Sequence, residues 1–302
     1  MNTSTDIAQT LVRLHAGMLA GEPRTENFAS QDQQAGWDAE HAGVLQACRW
    51  LGFLEHDALC VARAWHQQSQ RTGHFSTTDW PTDPQDFGIP TGPREQAFTA
   101  CPRALGLYAV LPDAQWIARM AQTGVKTLQL RFKSEDQNAV RQEVRSAIQA
   151  VQDTNTLLFI NDHWQIAIEE GAYGVHLGQE DLEDAPLKSL RLAGLRLGLS
   201  THGYAEMCRA DAANPSYLAL GAIFPTTLKR MATAPQGLSR LKAYAALMRH
   251  HPLVAIGGID EARIPAVMQS GVGSIAVVRA ITGSSQPEQA VRTLQQLIEG
   301  KL

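Results

Sequence analysis

Leu157-Leu158-Phe159-Ile160 runs straight into Asn161-Asp162, and Gly174-Val175-His176-Leu177 runs into Gly178-Gln179-Glu180-Asp181. Between these apolar runs, His163 to Glu170 has the amphipathic spacing of a short helix. The unit reads strand, acid, helix, strand, acid. If the two strands lie parallel in one sheet, Asp162 and Asp181 emerge side by side on one rim. A single acid after a strand reads as the cap of the next helix. Two acids on neighbouring strands read as a seat for a hard divalent cation such as Mg²⁺, which takes one or two carboxylates together with substrate phosphates.

The same alternation repeats along the chain outward from this unit. Runs at Leu107–Leu111, Thr127–Leu130, Leu157–Ile160, Gly174–Leu177, Leu195–Leu199, Tyr217–Leu220, Leu253–Ile256 and Ser274–Val278 are separated by helix-like stretches such as Ala114–Gln122, Gln137–Val151, Leu241–Arg249 and Glu288–Ile298. Alternation of this kind predicts a parallel sheet. Eight units in about two hundred residues predict the α/β class in its closed form, a (β/α)₈ TIM barrel. The other arrangement is a doubly wound open sheet, but no G-x-G-x-x-G turn follows the first strand.

Composition changes near residue 100. The first 78 residues read as a mainly helical N-terminal extension: Val44, Ala47, Cys48 and Leu51 share one helical face, and so do Ala58, Val61, Ala62 and Trp65. Residues 79–104 read as a linker containing Pro and Gly, with Pro81, Pro84, Pro90 and Pro93 close together. Residues 105–302 then form the barrel. Four of the six tryptophans, Trp37, Trp50, Trp65 and Trp80, fall in the first third and read as anchors of helix packing or docking.

The 302 residues are 44 % hydrophobic with a net charge of −4 and no block of Lys or Arg. That balance argues against a nucleic-acid or anionic-membrane surface. Cys48, Cys60, Cys101 and Cys208 form no CxxC pair, which fits free thiols in a reducing compartment. The N-terminus lacks an apolar signal core, and no apolar run reaches the roughly eighteen residues of a membrane span, so a cytoplasmic protein is expected.

In barrels of this type, chemistry gathers at the C-terminal ends of the strands. Those positions here hold Gln129, Arg131 and Lys133; Asn161 and Asp162; Gln179, Glu180 and Asp181; Ser200-Thr201-His202; Gly221 through Lys229; Gly257-Gly258; and Val278-Arg279. With only six lysines in the chain, two at strand ends stand out. Arg131, Lys133 and Lys229 could neutralise a pyrophosphate alongside a cation on Asp162 and Asp181. Gly257-Gly258 suits a phosphate cradled on backbone N–H groups. The expected partners are therefore small phosphorylated molecules, with self-association left open. His163, His176 and His202 share no metal-like spacing and read as packed or solvent-facing side chains.

Six segments in order resemble the thiamine-phosphate synthase (thiamin phosphate pyrophosphorylase) family. They are Gln129-Leu130-Arg131-Phe132-Lys133, Ile160-Asn161-Asp162, Gly174 through Leu182, Gly198 through His202, Phe224-Pro225-Thr226 with Lys229, and Val254 through Ile259. The likeness spans roughly residues 105–299. It implies a Mg²⁺-dependent transferase that joins hydroxymethylpyrimidine diphosphate to thiazole phosphate, releasing pyrophosphate. It further implies Gln129, Arg131, Lys133, Asn161, Ser200 and Lys229 on the pyrimidine diphosphate, with Leu130 and Phe132 also binding substrate and Arg131, Lys133, Ser200 and Lys229 catalytic. Asp162 and Asp181 would hold Mg²⁺, while Thr226, Thr227, Leu228, Gly258, Val278 and Arg279 would surround the thiazole phosphate.

The sequence departs from the family pattern at three places: Leu228 where a second Thr is usual, Arg279 where a Ser is usual, and Ala222 where a Pro is usual. All three fall near the thiazole-phosphate half. A related thiazole tautomerase using a histidine such as His202, or a regulatory protein that binds thiamine phosphate without turnover, are the alternative readings. In the extension, Glu55 to Gln67 resembles over a short, generic stretch the last helix of ribokinase-like pyrimidine kinases. A segment this small has no room for an ATP site, so that likeness implies at most a remnant or docking module.

Overall fold

The eight apolar runs pair edge to edge, each with its sequence neighbours, and the last closes on the first. The computed structural model describes residues 3–21, 37–92, 94–226 and 233–301. Its strands are β1 (Gly106–Leu111), β2 (Thr127–Leu130), β3 (Leu157–Asn161), β4 (Gly174–Leu177), β5 (Arg196–Thr201), β6 (Tyr217–Leu220), β7 (Leu253–Ile256) and β8 (Ser274–Val277). They form a closed parallel barrel in the order β1 to β8. Most bounds match the sequence pattern. The exceptions are β1, which starts one residue earlier, β5, which starts one residue later and extends through Ser200 and Thr201, β3, which continues to Asn161, and β8, which stops at Val277.

Alternate residues of each strand point into the barrel. Tyr108, Val110, Phe159, Tyr217, Ala219, Val254 and Ala276 pack there as one buried cluster. The rings fit because glycine stands opposite them. Phe159 pairs in register with Gly174, and Tyr217 with Gly198. A Cβ on Gly198 would sit 2.1 Å from the Tyr217 ring, and one on Gly174 would sit 2.6 Å from the Phe159 ring. Large faces small, and the centre is filled.

Outside the strands run α4 (Ala114–Gln122), α5 (Gln137–Val151), α6 (Trp164–Glu169), α7 (Gln179–Asp184), α8 (Leu187–Leu192), α9 (Tyr204–Ala212), α10 (Gly237–Leu247), α11 (Ile264–Met268), α12 (Arg279–Thr282) and α13 (Pro287–Ile298). The extension contributes α1 (Ser4–Leu14), α2 (Ala39–Trp50) and α3 (Glu55–Thr72). Thr3 and Asp6 form a capping box that starts α1, and Gly73, at φ +79°, ends α3. The apolar faces expected for α2 and α3 are buried, and one continuous apolar core joins them to the barrel helices.

Polar contacts fix that docking. Asp57 of α3 accepts a hydrogen bond from Ala205 N at 2.9 Å, capping α9 from outside its own segment. Arg240 of α10 is buried and donates to Met18 O and Leu51 O, each at 2.8 Å, with its guanidinium 3.6 Å from the Phe53 ring centroid. Trp80 donates through Nε1 to Tyr204 Oη at 2.8 Å, Phe87 stacks on Tyr204, and Arg94 pairs with Asp211 at 2.7 Å. Trp80, Phe87 and Arg94 thus lie against the barrel wall. No described helix is long and apolar enough to cross a membrane.

Candidate active site

Asn161, the last residue of β3, is followed by an unusual backbone position. Asp162 adopts φ +62°, in the left-handed region that Asp tolerates better than most residues, and its N–H donates to His176 O of β4 at 3.1 Å. Asp181 lies in the first turn of α7, where its Oδ2 accepts from Gly178 N at 3.0 Å. Asp181 therefore caps its helix, and its charge acts on Asp162 as well. The Asp162 carboxyl is held above the usual carboxylate range, first by burial and second by the Asp181 charge, while Arg131 and a hydrogen bond from Asn161 pull it the other way. Because Asp162 as a residue is largely exposed, the neighbouring charge is the cause with the clearer consequence. Two oxygen-donor carboxylates repelling each other on an open rim are a donor set that fits Mg²⁺.

Arg131 extends the β1–β2 ladder, its N–H donating to Leu111 O at 2.8 Å. Phe132 packs against the core, and its carbonyl lies 3.2 Å from His163 Nε2. Leu130 is buried, whereas Lys133 is exposed.

Behind this rim a chain of hydrogen bonds crosses the barrel interior. Gln129 Nε2 donates to Asn161 Oδ1 at 2.7 Å, and Gln129 Oε1 accepts from Tyr108 Oη at 2.9 Å. Tyr108 and Tyr217 hydroxyls are 2.7 Å apart, Tyr217 Oη is 2.7 Å from His176 Nδ1, and His176 Nε2 is 2.8 Å from Ser200 Oγ. Burial pushes both phenols well above their ordinary range, so both keep their protons. The direction of the chain then follows. Tyr108 spends its proton on Gln129, so Tyr217 donates to Tyr108, His176 donates from Nδ1 to Tyr217, and Ser200 donates to His176 Nε2. At the far end Asn161 bonds the Asp162 carboxyl. Six side chains are thereby polarised in one sense toward an anion, an arrangement in which each bond strengthens the next.

The opposite side of the mouth is built from backbone. Ile223 N donates to Ile256 O and Phe224 N to Gly257 O, both at 3.0 Å, so the segment after β6 continues to pair with the end of β7. Gln236 N returns to Ala222 O and Gly237 N to Ile223 O, both at 2.9 Å, which ties the two ends of the intervening loop together. Gly258 has φ +64°, and a Cβ there would lie 2.5 Å from Pro225 O. Arg263 donates to Gly258 O and lies over the Phe224 ring. Thr226 is half-buried at the start of this loop. Thr227, Leu228 and Lys229 fall outside the described residues. Val278 precedes α12, its carbonyl accepting from Ile281 N and Thr282 N, and Arg279 opens that helix on the exposed side.

The sequence pattern did not single out Tyr108 and Tyr217, and His176 read as a packed or solvent-facing side chain. The signal was there in the strand period: Tyr108, Gln129, Asn161, His176, Ser200 and Tyr217 all occupy inward positions. His202 stands apart from this chain, its Nδ1 2.7 Å from Glu206 Oε2. The anchors between the extension and the barrel were not legible either. Asp57 caps the helix that follows Ser200, and Arg240 contacts Gln236 Oε1 at 3.1 Å, at the returning end of the loop after β6. The extension thus contacts the elements next to both halves of the mouth.

Comparison with known proteins places this geometry in context. Residues 107–281 match the family described as thiamine monophosphate synthase. The thiamine-phosphate synthase of Neisseria meningitidis serogroup A is 52 % identical over 196 residues, covering 65 % of this chain and 96 % of that protein. That of Serratia proteamaculans is 52 % identical over 204 residues, covering 68 % and 96 %. A solved structure of thiamine phosphate pyrophosphorylase from Pyrococcus furiosus superposes with a TM-score of 0.59 at 27 % identity, covering 66 % of this chain and 98 % of the other.

Proposed function

The chain belongs to the thiamine monophosphate synthase family, and from that premise we propose that it joins hydroxymethylpyrimidine diphosphate to thiazole phosphate, forming thiamine phosphate and pyrophosphate. The observation that carries this reading is the single rim on which Asp162, Asp181 and Arg131 meet, backed by the oriented chain from Ser200 to Asp162.

In this reaction the C–O bond to pyrophosphate breaks and its electron pair leaves with the pyrophosphate. The pyrimidine-stabilised cation left behind is captured by the thiazole nitrogen lone pair, which forms the new C–N bond. No proton has to move, so the demand on the protein is charge stabilisation, alignment and exclusion of water. Arg131, Lys133 and Lys229 would take the leaving group's charge. Asp162 and Asp181 would hold Mg²⁺, which supplies further charge neutralisation to the diphosphate when bound. Ser200, its proton committed to His176, presents acceptor lone pairs suited to an amino group on the pyrimidine. Gln129 and Asn161 are fixed in orientation by the same chain, so they meet substrate without reorganising. Leu130 and Phe132 back the segment with apolar surface. Thr226, Thr227, Leu228, Gly258, Val278 and Arg279 would surround the thiazole phosphate, with a backbone N–H contact able to stand in for the missing Ser hydroxyl at Arg279.

The test is thiamine phosphate formation by the purified full-length chain supplied with both substrates. Product that requires both substrates and Mg²⁺ is expected. A protein that interconverts thiazole tautomers, or that binds thiamine phosphate tightly, without making product would contradict the transferase reading.

A further inference from the structure

The helical extension carries a set of metal-ligating groups that the transferase reading leaves unused. Asp38 precedes α2, His41 lies in its first turn, and His66 lies on α3; one ligand atom from each lies within 4.8 Å of the other two. Asp38 Oδ1 accepts from His41 N at 2.9 Å, so the start of the helix fixes the carboxylate. His41 Nδ1 stands 3.2 Å from that same oxygen. A tetrahedral centre with bonds of about 2.0–2.2 Å holds its donors about 3.3–3.6 Å apart, so this pair lies close to the spacing of two ligands on one ion. The His41 and His66 ring centroids are 3.7 Å apart with planes inclined by 32°.

Beside the three groups lies a cavity of about 290 Å³, lined by them together with Trp37, Arg63 and Gln67. It leaves room for a further ligand. We propose that Asp38, His41 and His66 form a site for a divalent transition-metal ion of the Zn²⁺ class, with water or a small anion completing the coordination from the cavity. Two imidazoles and one carboxylate select such an ion over Mg²⁺, which prefers oxygen donors. Arg63 on the cavity wall offers a positive partner for an anion in the open position. The ion would clip the start of α2 to the face of α3.

A second triad, Asp211 with His250 and His251, lacks this character. Both histidines meet Asp211 Oδ1 at 2.8 Å, and the Arg94 guanidinium meets Oδ2 at 2.7 Å, so that carboxylate's charge is already matched by a cation.

The test is calorimetric titration of Zn²⁺ into the full-length, chelator-treated protein in millimolar Mg²⁺, which occupies oxygen-donor sites. One Zn²⁺ per chain is expected, together with a rise in melting temperature. Losing a group that merely supports a metal ligand costs about 10–100-fold in affinity, so His41→Asn and His66→Gln are expected to weaken binding at least that much. Both should abolish the thermal shift, with melting temperatures near the wild type's in the absence of Zn²⁺, whereas His250→Gln should leave binding intact. Wild-type protein that binds no Zn²⁺ under these conditions would overturn the proposal. So would His41→Asn and His66→Gln proteins that bind as tightly as wild type, or binding lost only in His250→Gln.

Discussion

From Gln129 to Ser200 the barrel mouth is held by side chains; from Gly221 to Val278 it is held by backbone. On the first side, amide, phenol, imidazole and hydroxyl pass hydrogen bonds to one another until the chain reaches Asp162. On the second, carbonyls and N–H groups pair around Gly257 and Gly258, and the loop after β6 returns to Ala222 and Ile223. The two constructions tolerate different changes. A side-chain network fails when one polar atom is removed, because its partner is left buried and unpaired. A backbone wall accepts many side chains and fails when a Cβ intrudes. This accounts for Ala222, which takes part through its carbonyl, and makes the Ser-to-Arg departure at 279 a modest one. The third departure, Leu228, lies outside the described residues.

The contrast can be broken at its strongest point by Arg131→Ala. Removing a preorganised group that stabilises developing charge costs about 10²–10³ in kcat, or roughly 2.7–4 kcal/mol. A steady-state assay should show this fall in kcat at saturating thiazole phosphate. Gly258→Ala probes the other side. Its φ of +64° and the 2.5 Å approach to Pro225 O force the backbone to move, and a misplacement of about 1 Å can cost about 10²-fold. We expect a KM for thiazole phosphate raised by one to two orders of magnitude, with the KM for the diphosphate little changed; equal effects on both would erase the distinction between the halves.

Tyr217→Phe sharpens the comparison with a smaller effect. The ring still fills the space opposite Gly198, but the link between His176 and Tyr108 is cut. One buried hydrogen-bond partner left unsatisfied costs about 1–3 kcal/mol. A roughly tenfold fall in kcat/KM for the diphosphate is expected, with the KM for thiazole phosphate unchanged. A Tyr217→Phe enzyme indistinguishable from wild type in both would show that the chain is packing alone.

Much of this was legible in the residues themselves. Alternating apolar runs located all eight strands, since a parallel strand buried on both faces must be apolar. The errors came where polarity and pairing conflict. The apolar run stopped at Leu199, short of Ser200 and Thr201, yet their backbones pair with Ala219 and Leu220 because their side chains face the mouth or a carbonyl. Asn161 extends β3 for the same reason. Strand-end acids and cations were visible as a set, whereas the two tyrosines went unremarked inside apolar runs, because a buried phenol looks apolar until its partner is known. Asp57 and Arg240 could not be found locally, since their partners lie 148 and 189 or more residues away.

The central claim is that the side-chain half, with Asp162 at its end, drives departure of pyrophosphate with Mg²⁺. The most direct measurement is a Mg²⁺ titration of thiamine phosphate turnover by wild type and by Asp162→Asn, at saturating substrates. Wild-type turnover should be absent without Mg²⁺ and rise to a plateau, while the Asp162→Asn curve stays near zero. Turnover that ignores Mg²⁺, or an Asp162→Asn enzyme that reaches the wild-type plateau at the same concentration, would contradict the account.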